Sequence, residues 1–201
     1  YCVGCESFKK DKDLVEGVCP DHQKAPEVFE EENYFFKLSA FTEPLKKHFD
    51  QHADFVVPND KQNEMRQILE DGLEDISISR SAETLKWGIP VPGDPSQVLY
   101  VWFDALTNYI TALGYGREDS QMDTFWPALH VVGKDINRFH SLLWPAMLMA
   151  AGVELPQQVL VHGLILSDGL KMSKTIGNVI DPFDLVDRYG TEPVRYFFAR
   201  D

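Results

Sequence analysis

No apolar run in the 201 residues approaches the roughly 18 that a membrane-spanning helix needs, and nothing at the start resembles a signal peptide. A membrane role is therefore not expected, and a cytoplasmic location is. Cysteine is scarce, with three residues, all within the first 19. That points away from a disulfide scaffold and toward a metal site in a reducing compartment. Basic residues are in the minority, 19 against 32 acidic for a net charge of -13, which argues against a protein-wide basic footprint for nucleic acid. A local basic groove stays open. Internal repeats and low-complexity tracts are also missing. An initiator methionine is absent, and the sequence stops inside a helical pattern (Val194, Tyr196, Phe197, Phe198) without a stop signal. A segment of a longer protein is expected. The hydrophobic content, 44%, is ordinary and sufficient for a core, and the length suits one large domain or a domain with a small insert.

All three cysteines fall at knuckle spacing. Cys2-Val-Gly-Cys5 and Cys19-Pro-Asp-His22 give C-x2-C-x13-C-x2-H. Each pair can turn two ligands onto one ion, and three thiolates with one imidazole close a tetrahedral zinc shell. A closed shell means a structural site. Few apolar residues lie between Glu6 and Glu32, so metal binding is expected to supply much of this lobe's folding energy. The other histidines lack ligand spacing.

After an acidic linker (Glu30, Glu31, Glu32), Asn33 can cap a helix with the stripe Leu38, Phe41, Leu45 and Phe49, kinked or restarted at Pro44. Asn59 or Asp60 opens a second helix with Met65, Ile68, Leu69 and Leu73 inward and Gly72 near its end. Asp75 to Arg80 alternates with period two and reads as a short strand; on spacing alone Arg80 is a surface or salt-bridge residue. From Val98 the pattern becomes strand then helix, repeated. The strands are Val98 to Phe103, Leu129 to Val132 and Val159 to Leu166. The helices are the one capped by Asp104, Ile136 to Ala151 with a kink at Pro145, and Phe183 to Tyr189 opened by Asp181-Pro182 and stopped by Gly190. Such alternation implies an α/β fold with a parallel sheet covered on both faces.

Ligands sit beyond the carboxyl ends of strands in open parallel sheets. Those ends here are Trp102 to Asp104, Gly133 to Asp135, and His162-Gly163. Gly133 and Gly163 would let a flat base or a phosphate approach the backbone, and Asp135 would accept from ribose hydroxyls. Singly, each is an ordinary turn glycine or cap. Together they indicate a nucleotide site. Trp102, Ala105, Leu106 and Tyr109 follow helical spacing, and Ile136, Phe139 and His140 share one face of the next helix. Between them they would form an aromatic pocket suited to an unbranched thioether. Beside these lies Leu166-Ser-Asp-Gly-Leu-Lys-Met-Ser-Lys-Thr-Ile-Gly-Asn178. Its Ser167-Asp168-Gly169 is hairpin-turn chemistry, and Lys171 and Lys174, with Ser173 and Thr175 interleaved, can hold a polyphosphate.

Lys171-Met-Ser-Lys-Thr175 closely resembles the signature loop of class I aminoacyl-tRNA synthetases. Tyr1 to Cys5, Asn33 to Phe36, Asp75 to Arg80, Tyr100-Val-Trp-Phe-Asp-Ala105, Val132-Gly-Lys-Asp-Ile136, Phe139-His140, Trp144 to Met147 and Val161-His-Gly163 are, in the same order, similar to the methionyl-tRNA synthetase family. The resemblance covers essentially the whole chain. It implies a zinc-bearing connective insert with helices over residues 1–72. Residues 73–201 would then be the second half of a Rossmann-type catalytic domain, running into the start of a helical region. It also implies a methionine pocket at Trp102, Ala105, Tyr109, Ile136 and His140. Nucleotide contacts would fall at Gly133, Asp135, His162, Gly163, Leu164, Met172, Ser173 and Lys174. Lys171 and Lys174 would be the catalytic cations, with Arg80 a charged neighbour and Cys2, Cys5, Cys19 and His22 on structural Zn²⁺. The implied substrates are L-methionine, ATP with Mg²⁺ and tRNA(Met), and the implied partners are an N-terminal catalytic half and an anticodon-binding domain of the same polypeptide. The family's His-x-Gly-His signature appears nowhere in the sequence, so residues 1–201 alone are not expected to activate methionine. Two other readings stand beside this one. The first is a non-catalytic zinc and Rossmann module that docks RNA or protein, and the second is a sister class I synthetase for another amino acid.

Overall fold

The structure is a computed structural model that describes residues 2, 13–20, 24–27, 32–167, 169–172 and 177–200, with the backbone alone at 170 and 171. The chain divides into two packing units, Tyr1–Phe35 with Ser77–Tyr100, and Phe36–Ile76 with Val101–Asp201. The helices around residues 42–71 pack in the unit that holds the parallel sheet.

In that unit, Leu129–Gly133 pairs in parallel with Gln158–His162, which pairs in parallel with the short strand Val56–Val57 on its other side. Period-two alternation aims His130, Val132, Val159 and Val161 into the core. Two helices, Thr42–Gln51 and Asn59–Asp71, supply Leu45, Phe49, Met65 and Leu69 to the same core, and Trp144–Ala151 supplies Trp144 and Leu148. Covered faces were expected on both sides of the sheet. Among the described residues one face is covered, while Leu129, Val131 and Leu160 on the other remain exposed. Gln62, buried on the second helix, accepts from Val56 N–H at 2.9 Å and donates to the Ala53 carbonyl at 2.7 Å, so the outward N–H of Val56 finds a partner without a further strand.

Asn33 does not open the first helix. The chain first turns at Leu38–Phe41, and Thr42 starts the α-helix with Pro44 in its opening turn, where a missing N–H costs nothing. That preceding turn is held from far along the chain, since Asp75 Oδ1 accepts from Ser39 N–H at 3.1 Å and Ser39 Oγ at 2.6 Å. Those bonds hold its carboxyl below the usual range. The helix at Pro182–Tyr189 is as the sequence reads, with Asp181 Oδ1 accepting from Phe183 N–H at 2.8 Å and Gly190 stopping it at φ 85°. The apolar run Val159 to Leu166 is two elements. Its strand ends at His162, and Leu166–Ser167 begins a hairpin with Leu170–Lys171 around Gly169, whose φ of 75° suits glycine.

In the other unit, Asp94–Leu99 is the central strand of an antiparallel sheet between Ser79–Ser81 and Pro90–Val91. The expected strand Val98 to Phe103 therefore ends at Leu99, and Val101–Ala105 is helical. A continuous apolar run carries no period that separates a strand from a buried helical turn. Buried Ser79 ties this unit together by accepting from Tyr34 N–H and donating to Gln97 Oε1, both within 2.8 Å.

Candidate functional site

The helical turns Val101–Ala105 and Asn108–Thr111 bring Trp102 and Tyr109 against the helical segment that follows the strand Leu129–Gly133. That segment widens into a π turn over Phe139–Leu143 before continuing as an α-helix from Trp144. Pro145, in the first turn of the α-helix, has no N–H to return to Ser141, and the widened turn accommodates that loss where a simple kink was expected. Adjacent residues Phe139 and His140 thereby both face the aromatic group. Phe139 stacks on Trp102 with centroids 4.0 Å apart and planes 8° from parallel, and His140 meets the Trp102 ring edge-on at 6.4 Å. The expected pairing of Trp102 with His140 is present.

Hydrogen bonds fix the chemistry of this group. His140 Nδ1 lies 3.0 Å from the Ile136 carbonyl, which can only accept, so Nδ1 carries the proton. Nε2 is then an acceptor, and the Tyr109 hydroxyl donates to it at 2.9 Å. Burial holds the His140 imidazolium below its ordinary range, against the pull of the Ile136 carbonyl. Burial also raises the Tyr109 phenol, keeping it a donor at neutral pH. The result is an apolar, uncharged cage with one hydroxyl and one imidazole, suited to a polarizable thioether and poor for a charged side chain. Ile136 is half-buried and contributes its carbonyl, while Ala105 is exposed on the Trp102 turn.

Behind the cage stands a layer that sequence reasoning missed. His130, buried on the strand, lies 4.3 Å from the Tyr109 ring and 5.8 Å from that of His140, and its Nε2 accepts from Trp144 Nε1–H at 3.2 Å. Trp126 packs against both and donates to the Glu154 carbonyl. The available signal was a histidine in the inward register of an apolar strand. Beneath the π turn, buried Ser141 donates to Asn137 Oδ1 at 2.6 Å.

At the carboxyl edge of the parallel strands, Gly133 pairs in register with His162. A Cβ on Gly133 would lie 2.9 Å from Asp135 Oδ1 and 3.7 Å from His162 Cε1, so a side chain there would press on the Asp135 carboxylate and only touch His162. His162, Gly163 and Leu164 line a cleft of about 570 Å³ that Phe197 and Phe198 border. The nucleotide residues expected at Gly133, Asp135, His162, Gly163 and Leu164 thus meet at one strand edge. Met172 is half-buried, and the backbone of Lys171 is in the hairpin. Ser173, Lys174 and Thr175 lie outside the described residues. Arg80 belongs to the other packing unit, where its guanidinium sits 4.5 Å over the Tyr100 ring and donates to Ser77 Oγ and the Ser79 carbonyl. Cys2 and Cys19, in that same unit, are both buried and neither is in a disulfide. Cys5 and His22 lie outside the described residues, and no cluster of three metal-ligating side chains occurs among the described ones.

The buried histidines make stability depend on pH. Burial, then the neighbouring His140, lowers His130 to about 4, and burial, then His52, lowers His48 to about 4. In the unfolded chain each takes a proton near pH 6.5. The unfolded state thus binds more protons between about pH 4 and 6.5, and stability is full above that window and lost as pH falls through it. Urea-unfolding midpoints are expected to fall steadily from about pH 7 to 4.5, and equal midpoints would contradict buried neutral histidines.

The family described as tRNA synthetases class I (M) matches residues 1–201. The chain belongs to that family. Among proteins similar to this synthetase chain, the methionine–tRNA ligase of Caldanaerobacter subterraneus subsp. tengcongensis is 52% identical over 203 residues, and that of Thermotoga maritima is 50% identical over 206. Each of those alignments takes in 100% of this chain and 32% of the relative, so the chain spans about a third of the length of these relatives. Mycobacterium tuberculosis methionyl-tRNA synthetase, solved in complex with methionyl-adenylate, superposes with a TM-score of 0.87 at 43% identity, covering 98% of this chain and 40% of that one. The mixed α/β architecture with its parallel sheet is the class I synthetase fold. No helix among the described residues is long and apolar enough to cross a membrane.

Proposed function

We propose that this chain is the part of a longer, cytoplasmic methionine–tRNA ligase that selects methionine and holds ATP for its activation. The carrying observation is the cage of Trp102, Phe139, Tyr109 and His140, neutral and aromatic, in the same packing unit as the Gly133–His162 strand edge. In the proposed reaction the methionine carboxylate attacks the α-phosphorus of ATP, Mg²⁺ accompanying the nucleotide, and pyrophosphate leaves. The methionyl group then passes to the terminal adenosine of tRNA(Met). The chain's contribution is positioning and electrostatics. Trp102, Ala105, Tyr109, Ile136 and His140 take the side chain. Gly133, Asp135 and the backbone from His162 to Leu164 take the nucleoside, with Met172 and Ser173 beside it. Lys171 and Lys174 neutralise the departing pyrophosphate. Amino-acid-dependent ATP–pyrophosphate exchange by the full-length enzyme tests this. Methionine is expected to drive exchange far better than leucine, valine or cysteine. Exchange driven by one of those instead indicates a sister synthetase, and none at all indicates a binding module.

The same reading gives the first unit a structural zinc ion, held by Cys2, Cys5, Cys19 and His22 within the connective insert. The donor set is that of a closed tetrahedral site, and the burial of Cys2 and Cys19 as thiols fits it. About one equivalent of zinc per chain is expected by elemental analysis. Strong chelation should expose all three thiols to titration and melt this unit before the one that holds the parallel sheet. Metal-free protein with unchanged thiol reactivity would count against the site.

A further inference from the structure

We infer that His130 is a positioning residue for methionine recognition, setting the Tyr109–His140 pair from behind the cage. This deepens the methionine-pocket reading and rests on it. His130 is 4% exposed, and Trp144, which donates to it, is 1% exposed, so neither partner of their bond has water as an alternative. The bond dictates the state of the imidazole. Nε2 must keep its lone pair to accept from the indole N–H, because a proton there would set two donors against each other.

The Tyr109 ring rests on the His130 ring at 4.3 Å and lies 6.2 Å from that of Trp144. Tyr109 is therefore seated on the bonded pair, and from that seat its hydroxyl reaches His140 Nε2 at 2.9 Å. Without the acceptor at 130, the indole N–H is orphaned and the phenol ring has a gap beneath it. Either response, rotation of Trp144 or descent of Tyr109, draws the hydroxyl off His140 and changes the polar end of the cage. His130 itself stands behind the Tyr109 ring, so the effect belongs on methionine recognition and not on phosphoryl chemistry.

The test compares His130→Leu, His130→Gln, Trp144→Phe and the double variant His130→Leu/Trp144→Phe in the full-length enzyme, using methionine-dependent ATP–pyrophosphate exchange. His130→Leu is expected to raise methionine KM roughly 10- to 100-fold, the cost of one orphaned buried donor. Its kcat and its KM for ATP should stay within about twofold. His130→Gln, whose side-chain oxygen can accept from the indole, is expected to recover most of the methionine KM. The double variant, with no orphaned donor, should fall between. An unchanged methionine KM in His130→Leu, or a Gln variant as impaired as Leu, overturns the inference. If His130→Leu does not fold, Trp144→Phe decides: a raised methionine KM with kcat retained supports it, and an unchanged KM overturns it. A parent enzyme without methionine-dependent exchange would instead sink the underlying function. Parent activity with unresponsive variants sinks this inference alone.

Discussion

Replacing Lys174 by alanine in the full-length enzyme is expected to slow adenylate formation by about two to three orders of magnitude while leaving methionine affinity within about twofold. The reasoning starts from charge. Pyrophosphate departs carrying negative charge that is absent at that position in the ground state, so a cation aimed at it contributes mainly in the transition state. The cage proposed for the methionine side chain carries no formal charge, so binding there would make no use of the Lys174 ammonium group. Lys171 leads out of the hairpin Leu166–Ser167 with Leu170–Lys171, and Lys174 follows three residues on. Single-turnover adenylate formation, with methionine binding measured separately by calorimetry, separates the two quantities. Equal losses in rate and methionine affinity would assign Lys174 to ground-state binding.

Replacing Trp102 by alanine is expected to weaken methionine binding roughly 30- to 100-fold. Its indole stacks on Phe139 at 4.0 Å and presents an edge contact to His140, so its removal opens one wall of the cage and frees Phe139 to move. The Gly133–His162 strand edge is built from other elements, and ATP affinity should stay within about twofold. Trp102→Phe restores a ring without the full area and should recover part of the loss. Calorimetric titration of both variants reads this directly. Near-normal methionine affinity in Trp102→Ala would mean the side chain binds elsewhere.

What was legible in the sequence follows the range of each interaction. Leu45 and Phe49, Met65 and Leu69, and the Asp181 cap with its Gly190 stop are local signals, read through helical period or a two-residue bond. The cage was legible for a similar reason, since Trp102 and Tyr109 stand on consecutive helical turns and Phe139 and His140 are neighbours on a later helical segment. What was lost depended on distant partners. The turn before the first helix is held by Asp75, and the edge strand Val56–Val57 is only two residues long and finds its mate at Val159 and Leu160. The run Val98 to Phe103 breaks because Asp94–Leu99 answers to antiparallel neighbours while Val101 starts a helix. His130 has no ligand spacing to mark it, and its meaning lies in Trp144 and Tyr109 around it.

The most direct measurement is the carbon-13 spectrum of methyl-labelled methionine bound to the full-length enzyme. A methyl group among the Trp102, Phe139 and Tyr109 rings should resonate well upfield of free methionine, and Trp102→Ala, saturated with ligand, should remove much of that displacement. A bound methyl signal at the free position, or one indifferent to Trp102, would contradict methionine binding in this cage.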